Sequence, residues 1–284
     1  MPSSENVVKH NSGGPVRRAA GGGARPLDST GRGCDARGVR MNSITGKQIL
    51  ALARGGDYAH PGEASAIDLV MARVPRRVGQ VLLDVGCGRG GTACYLESRG
   101  WGTAVGVDID EENIAAARAA YPAQTFVLAD AGALAAAWPG RAGVICLFTA
   151  FYAFPDQPRA LEQMRAVAAE GATLVIFDYT WPVFDVRSEA LAAKRSGSWQ
   201  PLRLDRMSEM LDGAGWRLDA TVDMTAEFAR WYGDLADRIV SAEAAIVAHA
   251  GRPWYEFAAA WYGELAAACR DGVVGGAALY AHAG

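Results

Sequence analysis

The sequence predicts an α/β fold with a doubly wound, mostly parallel sheet and helices on both faces. Residues 80–92, QVLLDVGCGRGGT, indicate a buried strand that stops at a glycine turn and leads into a helix. Further apolar strand-like runs alternate with helix-like stretches, at residues 102–110, 125–130, 143–148 and 172–178. Such alternation is typical of a parallel sheet whose strands are joined by crossover helices.

Composition narrows the class of protein. Of the 284 residues, 50% are apolar and 21% are charged, as in ordinary globular proteins. The net charge of −3 provides no basic surface for a nucleic-acid backbone. With no signal peptide and no apolar run long enough to span a bilayer, we expect a cytoplasmic protein that acts on a small molecule, with no nucleic-acid or membrane partner. Whether it is a monomer or a homodimer stays open.

Two segments divide the chain. Residues 1–40 are rich in Gly, Arg, Ser and Pro and show no apolar period, so we expect a disordered or artefactual N-terminal extension. A basic tail that binds nucleic acid is the functional alternative. Residues 41–284 are expected to form one domain. Its helix at 44–54 would cover the ligand-binding site, and a Gly- and Pro-rich loop at 55–63 would lead into a helix at 64–74.

Two cofactors compete for the glycine turn. Gly86, Gly88 and Gly91 fit the dinucleotide pattern G-x-G-x-x-G, and Asp108 lies where a ribose-binding acid would be. A nicotinamide-dependent oxidoreductase is therefore one hypothesis. Asp84 favours S-adenosylmethionine, because a carboxylate two residues before the first glycine can meet the ammonium group of a methionine moiety. The same carboxylate would be poorly placed beside a pyrophosphate.

Residues 83–90, LDVGCGRG, resemble motif I of the class I S-adenosylmethionine-dependent methyltransferases. This resemblance implies a Rossmann-like class I methyltransferase fold, with a seven-stranded, mostly parallel sheet and an antiparallel edge strand. It also implies S-adenosyl-L-methionine as the cofactor and S-adenosyl-L-homocysteine as its product. The C-terminal long helix followed by GVVGGAALY is similar to the C-termini of small-molecule methyltransferases of the glycine/sarcosine, phosphobase and tocopherol families.

The remaining elements follow in order. We expect helices at 91–99, 111–120 and 157–169, a capped helix that begins at Asp205, a sixth strand at 216–222, helices at 226–249 and 254–270, and an antiparallel seventh strand at 274–281. Within this order, residues 181–204 would form a substrate-side insert or a surface loop. Residues 225–270 would supply cap helices.

The cofactor site is expected along the carboxyl ends of the first four strands. Asp108 would accept hydrogen bonds from both ribose hydroxyls, and Asp110 would cap the following helix. By resemblance, Asp130 would bind the adenine amino group, with a solvated loop acid as the alternative. The predicted cofactor-binding residues are Tyr58, Asp84, Gly86, Cys87, Gly88, Asp108, Ile109, Asp130, Ala131 and Phe148.

The acceptor site is expected after strands four and five. Residues 149–156 lack the D/N-P-P-Y-type sequence of enzymes that methylate nucleobase or protein amide nitrogens, and they are aromatic instead. The predicted substrate-binding residues are Phe151, Tyr152, Tyr179 and Trp181. Aromatic faces suit both a flat substrate and a cationic methyl donor.

The catalytic candidates are His60 and Tyr58, both in the loop before the second helix. Of the four histidines, only His60 is placed to act as a base. No metal site is predicted. We therefore expect N-methylation of a heteroaromatic or amine natural-product intermediate, of the azapteridine (toxoflavin) toxin type, by proximity in an aromatic pocket. The alternatives are O- or C-methylation of a phenol or quinone with His60 as base, and a non-catalytic S-adenosylmethionine-binding protein.

Overall fold

The computed structural model describes Met41 and residues 43–181 and 199–284. The predicted N-terminal extension, residues 1–40, lies outside the described residues, as do residues 182–198 of the predicted insert. In the described part of the chain, no helix combines the length and the apolar character needed to cross a membrane.

Seven strands form one sheet: β1 (Val81–Val85), β2 (Thr103–Asp108), β3 (Thr125–Leu128), β4 (Ala142–Phe148), β5 (Ala168–Thr180), β6 (Trp216–Asp223) and β7 (Gly275–Ala283). Their order is β3-β2-β1-β4-β5-β7-β6, with β1 to β5 parallel. The predicted α/β fold is confirmed. β7 is antiparallel, as predicted, but β6 is the outermost strand, because β7 pairs with both β5 and β6.

Helices cover both faces of the sheet. They are α1 (Ile44–Arg54), α2 (Glu63–Met71), α3 (Gly91–Ser98), α4 (Glu111–Ala120), α5 (Leu134–Ala137), α6 (Gln157–Ala166), α7 (Leu204–Gly213), α8 (Thr225–Ser241), α9 (Glu243–Ala250) and α10 (Arg252–Arg270). Alternate residues of β4 enter opposite cores. Cys146 packs in the core below α1–α4 and α8–α10, whereas Ile145 packs in the core below α5–α7. Burial on both faces explains the continuous apolar runs.

Two predicted helices differ from the structure. The helix expected at 226–249 is divided into α8 and α9, and the Ser241 hydroxyl at the junction donates to the Asp237 carbonyl at 2.9 Å. Such a bond back to the preceding turn bends a helix. The predicted cap at Asp205 is wrong, because Arg203 occupies the N-cap position of α7 and Asp205 pairs with it at 2.8 Å.

Helix α8 crosses the sheet beside the carboxyl end of β5. The ring of Phe228 lies against Gly276, and a Cβ atom at that glycine would overlap the ring. Gly276 pairs with Tyr179 of β5. This close approach brings Tyr232, one turn further along α8, to the hydroxyl of Tyr179.

A partly buried ion cluster joins three helices next to this contact. One oxygen of Glu63, at the start of α2, accepts from Arg54 of α1 at 3.1 Å and from Arg238 of α8 at 3.0 Å. The Arg54 side chain is 1% exposed, so its charge depends on Glu63 for compensation. Glu63 also adopts a positive φ of 45°, a conformation that side chains rarely take.

We expect Glu63→Ala to destabilise the protein by about 3 kcal/mol, because it leaves a buried guanidinium without a counterion. Chemical denaturation measures this loss. Glu162→Ala is the matched control, because it breaks the exposed Arg159–Glu162 pair and should leave the denaturation midpoint unchanged. Equal effects of the two substitutions would contradict the structural role of Glu63.

Candidate active site

The glycine turn after β1 is fixed to the end of β2. The amides of Gly86 and Cys87 both donate to the Val107 carbonyl, at 2.7 and 2.9 Å. Gly86 has a φ of 82°, and a Cβ atom there would overlap the side chain of Ala150, in the turn after β4. Glycine is therefore required by both backbone conformation and space. The turn presents a bare backbone at the carboxyl edge of the sheet, where a nucleoside ligand binds in such folds.

Asp84 places a carboxylate with one unpaired oxygen below this turn. Its side chain is buried and accepts from the Ala93 amide, whereas Oδ2 has no hydrogen-bond partner within residues 43–181 and 199–284. Burial, reinforced by the nearby charge of Asp108, raises the pKa of Asp84 to about 7. An unpaired buried carboxylate oxygen is costly, so its partner is expected to be a ligand that brings a cation or a donor. The ammonium group predicted from the sequence fits this requirement.

Asp108 anchors the glycine turn. Its Oδ2 accepts from the Gly88 amide at 2.8 Å, and its Oδ1 accepts from the Asp110 amide at 2.9 Å and the Asn113 side chain at 3.3 Å. Asp110 caps α4 through the Asn113 amide, at 3.1 Å. A carboxylate offers about four acceptor positions and three are filled here, so Asp108 keeps capacity for one ribose hydroxyl and not for the two that were predicted. Its ribose contact stays a prediction.

The other predicted cofactor residues lie on the same edge. Ile109 is 64% exposed at the end of β2, an unusual position for an apolar side chain and one open to a flat ring. Asp130 is exposed after β3, where it accepts from the Gly132 amide at 2.8 Å, and Ala131 beside it is buried. Cys87 is buried within the glycine turn. None of these placements excludes the predicted roles.

The loop at residues 55–62 lies on the glycine turn. Asp57 accepts from Arg89 at 2.6 Å and from the Tyr121 hydroxyl at 3.2 Å, which ties the loop to the turn. Tyr58 and Arg89, together with Lys47 of α1, line a small cavity at this contact. Burial, and then the neighbouring Tyr95, raises the pKa of Tyr58, so Tyr58 is a neutral phenol at physiological pH. No local sequence signal predicts the Asp57 contacts.

His60 has no free ring nitrogen. Its Nδ1 lies 3.1 Å from the Pro61 carbonyl and must donate to it, so Nε2 accepts from the Thr92 hydroxyl, also at 3.1 Å. The ring is buried, and this burial lowers its pKa from 6.5 to about 3. His60 is therefore a neutral, fixed imidazole, and this geometry does not support the predicted role as a general base.

The side chains of Phe148 and Phe151 lie in the core and not in the predicted binding sites. The Phe148 side chain is 4% exposed and packs on His60 and Phe177, with ring centroids 5.0 and 5.7 Å away. The Phe148 side chain is therefore part of the core. Phe151 is fully buried and packs on Phe154 in the core on the opposite face of the sheet. The short 3₁₀ turn after β4 turns Phe151 inward, so it does not bind substrate through its side chain.

Tyr152 and Tyr179 form an aromatic wall beyond the cofactor edge. Their rings meet edge to face at 5.1 Å. The Tyr179 hydroxyl is hydrogen-bonded to Tyr232, and burial, together with the Tyr232 phenol, raises the pKa of Tyr179 well above its ordinary value. Trp181, at the end of β5, is buried, with 8% exposure. The sequence did not predict Tyr232, because its approach depends on how α8 packs.

Asp178 holds this wall in place. Its carboxylate is completely buried and accepts from the Tyr152 amide at 3.1 Å and the Tyr179 amide at 2.7 Å, and also from the amides of Ala150 and Phe151. Burial raises the pKa of Asp178 to about 7. One side chain thus positions both aromatic residues. Sequence reasoning missed this role.

The sheet order, the glycine turn and its two acids define a class I S-adenosylmethionine-dependent methyltransferase, whose cofactor is S-adenosylmethionine. The family described as "Methyltransferase domain" matches residues 58–221, and the chain belongs to this family. Methyl transfer to a small-molecule acceptor follows as the general activity. The nicotinamide hypothesis is thereby set aside.

Individual proteins show the same fold. The chain is 26% identical over 185 residues to trans-aconitate 2-methyltransferase of Methylobacterium radiotolerans, which covers 62% of this chain and 69% of that protein. The cyclopropane synthase MmaA2 from Mycobacterium tuberculosis is similar in structure, with a TM-score of 0.73, 14% identity and coverage of 84% and 94%. Phosphoethanolamine N-methyltransferase 2 of Haemonchus contortus, solved with S-adenosyl-L-methionine, gives a TM-score of 0.74 at 16% identity. That match covers 86% of this chain and 60% of the nematode protein.

We expect the affinity for S-adenosylhomocysteine to fall as the pH drops below 7. The ligand ammonium requires the ionised form of Asp84, whose pKa is about 7, so each pH unit below that value weakens binding by up to about tenfold. Calorimetry between pH 5.5 and 8.5 measures this slope. Asp84→Asn should bind more weakly at pH 8 and lose the slope, whereas the exposed Asp212→Asn should retain both. A pH-independent affinity of the wild type would contradict the assignment.

We expect His60 to make the protein sensitive to acid. The unfolded state takes up a proton at His60 near pH 6.5 and the folded state only near 3, so the contribution of His60 to stability falls as the pH drops between these values. This contribution is about 1.4 kcal/mol per pH unit. Asp84 and Asp178, whose folded pKa values are about 7, contribute in the opposite direction, so the effect of His60 is measured as the difference in slope between wild type and His60→Gln. Denaturation curves at several pH values test this. His249→Gln, at an exposed site on α9, should keep the wild-type slope.

Proposed function

We propose that the protein transfers the methyl group of S-adenosylmethionine to a nitrogen atom of a planar heteroaromatic or amine metabolite, by proximity and without a general base. The observation that carries this proposal is the state of His60, whose two ring nitrogens are both hydrogen-bonded and whose pKa is about 3. Both nitrogens of the predicted base therefore stabilise the fold and are not available to accept a proton from a substrate.

The acceptor chemistry follows from the reaction. Methyl transfer from a sulfonium is an in-line displacement, so the protein has to align the nucleophile, exclude water and manage one proton. A ring nitrogen or neutral amine attacks with a lone pair that is already available. A phenol or hydroxyl needs a base with a pKa near the working pH, which contributes about 10²–10⁴-fold.

Three further ionisable groups in the described part of the chain, near the acceptor wall, do not replace His60. Tyr58 and Tyr179 have raised pKa values and stay protonated. Asp178 has a pKa of about 7, but its oxygens accept hydrogen bonds from backbone amides and its side chain is completely buried. These groups can bind and orient an acceptor, but they do not take up a proton. The proton that the methylated product loses therefore passes to solvent.

The aromatic wall favours a flat acceptor. The rings of Tyr152, which is partly exposed, and Tyr179, which is 7% exposed, lie at the carboxyl ends of β4 and β5, next to the turn that meets Gly86. Such faces attract the positive charge shared by sulfur and methyl in the transition state. An azapteridine of the toxoflavin type, with several ring nitrogens, fits this description, and we propose this chemical class as the leading candidate.

A carboxylate oxygen is the second candidate acceptor. It too attacks without a base, and one curated relative is a trans-aconitate 2-methyltransferase. Such a substrate needs cations to hold it. Arg54 bonds to the Tyr262 hydroxyl behind the wall, but Glu63 already compensates its charge. The aromatic surface therefore supports a heteroaromatic acceptor better than a polycarboxylate.

Transfer of labelled methyl to a panel of nitrogen heteroaromatics, amines, phenols and trans-aconitate tests the proposal. We expect label on a nitrogen acceptor, with the turnover of His60→Gln within about threefold of wild type, because no base is removed. Labelled phenols together with collapse of His60→Gln would establish the O-methylation alternative. Tight S-adenosylhomocysteine binding with no labelled product would indicate a non-catalytic binding protein.

A further inference from the structure

Trp199 extends the aromatic wall, although it lies twenty residues beyond Tyr179 in the sequence. Its ring centroid is 4.8 Å from that of Tyr152 and 4.8 Å from that of Tyr179. The three rings are therefore in mutual contact at the carboxyl ends of β4 and β5. A planar molecule that packs on either tyrosine also meets the indole.

The backbone around Trp199 is fixed to the same two tyrosines. The Gln200 amide donates to the Tyr152 carbonyl at 2.8 Å, and the Leu202 amide donates to the Tyr179 carbonyl, also at 2.8 Å. Residues 199–202 thus lie along the end of β5 as an added strand-like segment. The position of the indole is set by these bonds between described residues.

The indole nitrogen of Trp199 lacks a partner. Nε1 is buried and has no hydrogen-bond partner among the residues that the structure describes. An indole N–H can only donate, and burying such a group without an acceptor is unfavourable. A buried donor without an acceptor requires a physical reason, and a ligand that supplies the acceptor is one.

We propose that Trp199 is the hydrogen-bond donor of the acceptor site, and that the methyl acceptor is a planar ring system with a carbonyl oxygen at its edge. The ring would pack on Tyr152 and Tyr179, and its carbonyl would accept from the indole N–H. This inference rests on the proposed function and specifies which flat acceptors the site selects. A neutral donor selects a carbonyl without demanding an anionic substrate.

The test compares Trp199→Phe with wild type on pairs of rings. Xanthine and lumazine carry ring nitrogens and carbonyls, whereas purine carries ring nitrogens alone. With labelled S-adenosylmethionine, we expect kcat/KM of Trp199→Phe to fall about tenfold on the carbonyl-bearing rings, as for one lost hydrogen bond. On purine, kcat/KM should equal that of wild type. The affinity for S-adenosylhomocysteine should stay unchanged, because phenylalanine keeps the aromatic contacts.

Trp101→Phe is the matched control. Trp101 also has a buried Nε1 without a partner, but it lies before β2 at the amino edge of the sheet, with the Arg76 guanidinium 4.1 Å from its ring. This substitution should change neither substrate. Equal losses on purine and on the carbonyl-bearing rings, or no loss on either, would overturn the role of the N–H.

The outcomes also separate this inference from the proposed function. If wild type methylates a ring nitrogen and Trp199→Phe does so equally well, the function stands and the donor role fails. If wild type binds S-adenosylhomocysteine and labels none of the three rings, the heteroaromatic assignment fails, and the role of Trp199 fails with it. Weaker S-adenosylhomocysteine binding in Trp199→Phe would assign the indole to the cofactor site instead.

Discussion

Two turns of the chain meet at Gly86 and Ala150, and this contact sets how closely the predicted cofactor edge approaches the proposed acceptor wall. No side chain fits at Gly86, so the turns after β1 and β4 approach more closely than any other residue would allow. The second turn begins at Thr149, which has a positive φ of 51°, and its amides bond to Asp178. Strain of this kind is found where a backbone is held for function. A displacement reaction depends on such rigid alignment, because the nucleophile must lie in line with the carbon–sulfur bond.

The sequence predicted those parts of the site whose signal is local. The buried strand, the glycine turn and the two acids at Asp84 and Asp108 lie within about one structural unit and follow fixed spacings, so their order could be inferred directly. The seven-stranded topology followed from resemblance. The wrong prediction that Phe151 binds substrate has a different origin. A short 3₁₀ turn decides which aromatic residue faces inward, and this turn cannot be predicted from the composition of the segment.

Contacts between distant segments could not be predicted. Trp199, Tyr232 and Asp57 reach the site through packing of a strand-like segment, a helix and a loop, each set by side chains elsewhere in the fold. His60 illustrates the limit well. In the sequence it is a histidine in a Gly- and Pro-rich loop, a reasonable base. In the structure, Thr92 and the Pro61 carbonyl bind both nitrogens, and burial removes its basicity.

The charge balance of the reaction gives an independent argument about the acceptor. Attack by a neutral nitrogen moves the positive charge from sulfur to the product, whereas attack by an anion annihilates it. The aromatic wall offers ring faces and neutral hydroxyls, and ring faces attract cations and repel anions. An anionic acceptor would lose its hydration on entry, and Arg54, the guanidinium behind the wall in the described part of the chain, is already paired with Glu63. A neutral acceptor would lose little on entry, and its cationic product would stay against the same rings until a proton is lost to water. The electrostatics of the wall thus favour the same nitrogen chemistry that the state of His60 supports.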